Sequence, residues 1–258
     1  MHDPALNILY LEGPMSEIIL ECCVGSVESA VNAELGGAAR IELCSALEIG
    51  GVTPSRASIR MTREKIEIPL FVLVRARGGD FHYTPVEIDV MKEDISTARE
   101  LGADGIVLGA LREDLCIDDE QTAALIEAAD GASITFHRAF DSTPDPLAAL
   151  ETLCELGVDR VLTSGRAPRA EAGAELLGQF LQAAAGRIGI LPGGGINHGN
   201  CRQIIELSGA GEIHVGSAVC STGPRGEASG IGPGGLEPPA PGGETDPESV
   251  RRLLDLLG

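Results

Sequence analysis

Short apolar runs recur along the chain, each separated from the next by an amphipathic stretch of helical length. Four runs share one signature. Gly37-Ala38-Ala39-Arg40 precedes IELC, Gly102-Ala103-Asp104-Gly105 precedes IVLG, Gly157-Val158-Asp159-Arg160 precedes VLTSG, and Gly209-Ala210-Gly211-Glu212 precedes IHVGS. A glycine closes a helix in the left-handed conformation, and an unbroken apolar run suits a parallel strand covered on both faces. The pattern predicts strands at 18–24, 40–44, 69–75, 105–109, 132–137, 160–164, 187–191 and 212–216. It predicts helices at 26–36, 54–65, 84–101, 118–129, 145–156, 169–185, 198–207 and 246–257. Such alternation implies right-handed βαβ crossovers. Eight units in 258 residues fit an α/β fold of the TIM type, a (β/α)8 barrel forming a single domain over 17–258. A doubly wound open sheet has the same periodicity and is the alternative.

Two stretches fall outside the pattern. Residues 1–16 read as an N-terminal extension without the basic start and apolar core of a secretory signal, and without the arginines of a transit peptide. Of the 24 residues in 221–244, 13 are Gly or Pro, which predicts a mobile loop between strand eight and the last helix.

In a barrel the outward strand face must be apolar to pack on helices, and polar groups gather inward near the C-terminal strand ends. That rule sets the phase. Leu20, Cys22 and Val24 go outward, leaving Glu21 and Cys23 inward; Ile41 and Leu43 outward leave Glu42 and Cys44 inward. By the same alternation Arg75, then Arg77, Thr135, His137 and His214 face inward. Carboxylates, imidazoles and guanidinium groups in one pocket suit acid–base chemistry on an anionic substrate. The candidate catalytic set is Glu21, Glu42, Arg75, Arg77, Asp80, His137, Arg138 and His214. A buried ionic network, each Glu neutralised by an Arg, would use the same residues with no catalytic role.

Composition narrows the partners. Acidic residues number 39 against 19 basic, a net charge of −20, which argues against duplex nucleic acid or an anionic membrane as partner. No apolar run approaches the length of a membrane span. Lys65 and Lys92, both in predicted helices, are the only lysines, so a Schiff-base lysine is not expected. The loop Pro192-Gly193-Gly194-Gly195-Ile196-Asn197 follows strand seven, where barrels often hold phosphate on backbone N–H groups. Gly193, Gly194, Gly195 and Ser217 are the candidate anion donors, with Asn197 placed to cap the next helix; a plain tight turn is the alternative.

Seven scattered cysteines suggest free thiols rather than a disulfide framework. No C-x-x-C or H-E-x-x-H occurs, so a structural zinc site is not expected. Cys23 and Cys44 share the inward phase on neighbouring strands, and two convergent thiolates favour Cu(I). Otherwise each serves as a small buried hydrophobe.

Several segments carry a resemblance. Ser26-Val27-Glu28-Ser29-Ala30, Gly36 through Ser45, Gly50-Gly51-Val52-Thr53-Pro54-Ser55, Arg75 through Phe81, Thr135 through Asp141, Leu162-Thr163-Ser164-Gly165, Pro192 through Ile196 and Thr245-Asp246-Pro247 resemble the CutC copper homeostasis family. The similarity spans about residues 17–220 and 245–257. It implies a TIM-type barrel, a homo-oligomer, a cytoplasmic and in some members also nuclear location, and copper handling with Cu(I) bound through cysteines. Cys23 and Cys44 fall on family cysteines, whereas Gly25 stands where Asp is usual and Ala76 where Pro is usual. The sequence is compatible with three functions: a Cu(I)-binding copper homeostasis protein, an enzyme acting on a small anionic or phosphorylated substrate, and an oligomeric binding scaffold using the 221–244 loop.

Overall fold

A computed structural model describes residues 18–221 and 243–258 of the chain. Among these residues eight strands alternate with eight α-helices. They are β1 (Ile19–Val24), α1 (Val27–Gly36), β2 (Arg40–Leu43), α2 (Arg56–Arg63), β3 (Leu70–Leu73), α3 (Pro85–Glu100), β4 (Gly105–Leu108) and α4 (Asp119–Ala128). The second half continues with β5 (Ser133–Phe136), α5 (Pro146–Glu155), β6 (Arg160–Thr163), α6 (Ala170–Ala184), β7 (Gly189–Pro192), α7 (Cys201–Ser208), β8 (Glu212–Val215) and α8 (Pro247–Leu257). All paired strands are parallel, in the order β7-β6-β5-β4-β3-β2-β1-β8. The end strands β7 and β8 lie side by side without a registered ladder, so the sheet curls into a nearly closed barrel. The open-sheet alternative is set aside.

Local chemistry explains the boundaries. The four repeat glycines, Gly37, Gly102, Gly157 and Gly209, all have φ between 71° and 99°, ending α1, α3, α5 and α7 as the signature requires. Thr84 and Glu87 form a reciprocal capping box at the start of α3, with Pro85 in the first turn. Asp246 caps α8 through the N–H groups of Glu248 and Ser249. Two expectations shift. Asn197 does not cap α7; it accepts from Gly199 N–H and its own N–H donates to Asn200 Oδ1, so this turn delays the helix to Cys201. Lys65 lies just past α2 rather than within it.

The core has two layers, as the strand phase predicts. Leu20, Cys22, Val24, Ile41, Leu43, Val72 and Val215 pack outward with helix residues such as Ala30, Ala33, Ile95 and Leu253. Inside the barrel, Cys44, Phe71, Leu73 and Val107 form a separate apolar cluster with Cys23 against it. Phe71 fills the barrel so fully that a Cβ at Gly105 would stand 2.4 Å from its ring. The 1–16 extension and most of the 221–244 stretch lie outside the described residues. The flanks of the latter meet, with Ser221 N–H donating to the Glu244 carbonyl at 2.9 Å.

Candidate functional site

The barrel floor is ionic. Glu21, without exposed surface, accepts from Arg40 Nε and sits 2.6 Å from His214 Nδ1. Arg40 reaches Glu212 at 2.7 Å, and Arg160 lies 3.6 Å from the same carboxylate. Both guanidinium groups stack near the Phe71 ring, at 5.1 and 5.0 Å from its centroid. A buried network therefore exists, but Arg40 and Arg160 build it, not Arg75 and Arg77. The i, i+2 relation of Arg40 to Glu42 was the available signal, since it puts both inward.

Above the floor, the adjacent strands β1 and β2 pair Cys23 with Glu42 in register and bring the Cys23 and Cys44 sulfurs to 3.7 Å. One ligand atom from each of Cys23, Glu42 and Cys44 falls within 4.8 Å of the others, and the same holds for Glu21, Glu42 and His214. His214 Nε2 lies 3.7 Å from Glu42. Burial pushes the Glu21 carboxyl up, but His214 and Arg40 outweigh it and hold it at about 2. Burial opposes charge on His214, yet its bonds to Cys23 and Glu21 raise it well above the ordinary imidazole value. Glu42 is pushed well up, first by burial and then by the Cys23 charge. The hydrogen bond between the sulfurs splits the thiols: Cys23 is lowered, with help from His214, and Cys44 is raised. The pair thus consists of a thiolate-prone Cys23 and a protonated Cys44.

At the mouth, Cys23, Glu42, Cys44, Arg75, His137 and His214 are among the residues lining an inner cavity of about 300 Å³. His137 is buried, and Gly109 leaves room for it, since a Cβ there would sit 2.5 Å from its ring. Burial, then the Arg75 charge, hold its imidazole at about 3, so it is neutral. Arg138 lines both this cavity and an outer cleft of about 960 Å³. Its Nε donates to Asp141 and one terminal nitrogen to Ser164, joining the loops after β5 and β6. Gly194, Gly195 and Ser217 line the outer cleft; Gly193 lies beside His214.

Arg77 and Asp80 are not brought to the site. β3 ends at Leu73, so inward–outward alternation does not carry on to Arg77. The loop turns Arg77 to Glu87 at 2.6 Å and Asp80 at 3.1 Å, and the pair lines neither cavity.

A parallel eight-stranded barrel with two thiols, imidazoles and carboxyl groups converging at its mouth belongs to the class of TIM-type barrels with a site at the C-terminal strand ends. The chain matches the model of the CutC family over residues 18–219. It is 52% identical over 202 residues to the copper homeostasis protein cutC homologs of Mus musculus and of Homo sapiens, covering 78% of this chain and 74% of each relative. A crystal structure of a CutC protein from Streptococcus agalactiae superposes with a TM-score of 0.73 at 33% identity, covering 77% of this chain and 98% of that one. The chain belongs to the CutC family. Among the described residues no helix is long and apolar enough to cross a membrane.

Proposed function

We propose that this protein serves copper homeostasis by holding Cu(I) between Cys23 and Cys44. The observation that carries the reading is the 3.7 Å approach of two thiols from neighbouring strands at the mouth of the barrel. Soft thiolates suit Cu(I), and the lowered Cys23 supplies one at neutral pH. Metal–thiolate bonds of about 2.3 Å, the zinc value, would meet at a bent angle across this gap and leave a third position beside Glu42. Loading releases the Cys44 proton, and the ionic floor keeps both strands in register while it leaves. The relatives named for copper homeostasis support the same reading, with the homo-oligomer and the cytoplasmic or nuclear location as its wider expectations. Competition of reduced protein against a Cu(I) chelator tests it. Cys23→Ser and Cys44→Ser each remove most of the affinity, Cys154→Ser leaves it intact, and unchanged binding by the Cys23→Ser/Cys44→Ser double variant refutes the site.

A second reading is an enzyme for a small anionic or phosphorylated substrate. It is favoured by Arg138 standing between the two cavities, opposite the loop of Gly193, Gly194 and Gly195 and near Ser217. Glu42 and His214 would move protons, and Glu21 would hold the His214 charge. Inorganic phosphate raises the melting temperature of wild type but not of Arg138→Met on this reading; no effect on wild type rejects it.

A further inference from the structure

The inner cavity contains a cation and a donor that the described chain leaves unanswered. Arg75 is 5% exposed, and among the described residues no carboxylate lies within ion-pair distance of it. Its terminal nitrogens donate to neutral carbonyls, those of Ile49, Gly51 and Gly79, at 3.3, 3.0 and 2.6 Å, and the neutral Tyr83 hydroxyl stands beside it. Its Nε is buried without a partner among the described residues. A buried charge met only by neutral groups is costly, and a counter-ion that enters from solution relieves it.

His137, just past the end of β5, makes the same demand. His137 is 6% exposed, and its Nδ1 accepts the Ala139 N–H at 3.3 Å. A neutral imidazole that accepts at Nδ1 carries its proton on Nε2. That Nε2–H is buried and has no acceptor among the described residues. The two groups are neighbours across one ring: the Arg75 guanidinium lies 4.8 Å from the Phe81 centroid, and Phe81 and His137 centroids are 4.8 Å apart.

We propose that the inner cavity binds a small carboxylate, held by Arg75 and by His137 Nε2–H, with its far end towards Cys23 and Cys44. A carboxylate offers one negative charge and two acceptor oxygens to one buried cation and one buried N–H. A phosphate dianion brings more acceptors than these donors match, and the glycine-loop residues Gly194 and Gly195 line the other cleft. At about 300 Å³ the cavity stands at the lower end of small-molecule pockets and fits an acid of a few carbons. The inference does not rest on copper, because neither anchoring group is a cysteine.

The test is ligand-observed NMR titration of the purified protein with acetate and pyruvate, against sodium chloride at equal ionic strength. Wild type binds at least one of the two acids. His137→Phe keeps the ring stacked on Phe81 and folds, but loses the donor, and binds about tenfold more weakly. Cys23→Ser/Cys44→Ser retains the carboxylate while losing copper, which separates failure of one proposal from failure of the other. Absence of binding of both acids by wild type overturns the proposal, as does equal binding by folded His137→Phe.

Discussion

Glu21→Gln is the sharpest probe of the electrostatics beneath the site. Gln keeps the shape of the protonated carboxyl but gives up its charge. In the wild type that charge faces Arg40 and His214 with no exposed surface, and the carboxyl stays at about 2 instead of the ordinary 4.5. The gap converts to about 3 kcal/mol of stability. Its sign is fixed by linkage. A depressed carboxyl contributes fully above pH 4.5 and loses the contribution as pH falls towards 2. Glu21→Gln is therefore about 3 kcal/mol less stable than wild type at pH 7, a fall of roughly 6–12 °C in melting temperature for a chain of this size. The difference narrows once the pH drops below 4.5. Urea denaturation of both proteins at several pH values between 3 and 7 measures it. Equal stability at pH 7, or a loss that stays constant through the acid range, refutes the argument that Glu21 is an ionised partner of Arg40 and His214.

Two further outcomes follow from the same geometry. His137 resists protonation down to about 3 in the folded protein against an ordinary 6.5, so wild type loses about 2 kcal/mol between pH 6.5 and 4.5 as the unfolded chain takes up a proton that the folded one refuses. In His137→Phe that part of the acid slope disappears, and urea midpoints over this range show whether it does. Gly105→Ala forces a methyl against Phe71 inside the barrel and costs about 1–3 kcal/mol in equilibrium unfolding; an unchanged midpoint would mean the interior is looser than described.

How far the sequence reaches depends on whether a residue sits inside a repeating element. Periodicity, the four closing glycines and the inward phase locate the strands, and with them Glu21, Cys23, Glu42, Cys44 and His214 in the barrel interior. Closure itself was not legible, because a strand in an open sheet alternates in the same way. Arg77 and Asp80 lie beyond the end of β3, where the loop path is set by Glu87 at the head of α3 rather than by alternation. Arg40 and Arg160 were missed because each opens a strand, where a charged residue reads as a solvated end. The barrel instead turns both inward onto Phe71 and Glu212. The unanswered nitrogens of Arg75 and His137 depend on what loop atoms approach them, which no spacing in the sequence encodes.

X-ray absorption at the copper edge tests the central claim most directly. Reduced protein loaded with an equimolar amount of Cu(I) shows two sulfur neighbours around the metal, supplied by Cys23 and Cys44, and both are lost in the Cys23→Ser/Cys44→Ser variant. A shell of only nitrogen and oxygen in wild type, or a sulfur shell that persists in the double variant, contradicts the assignment.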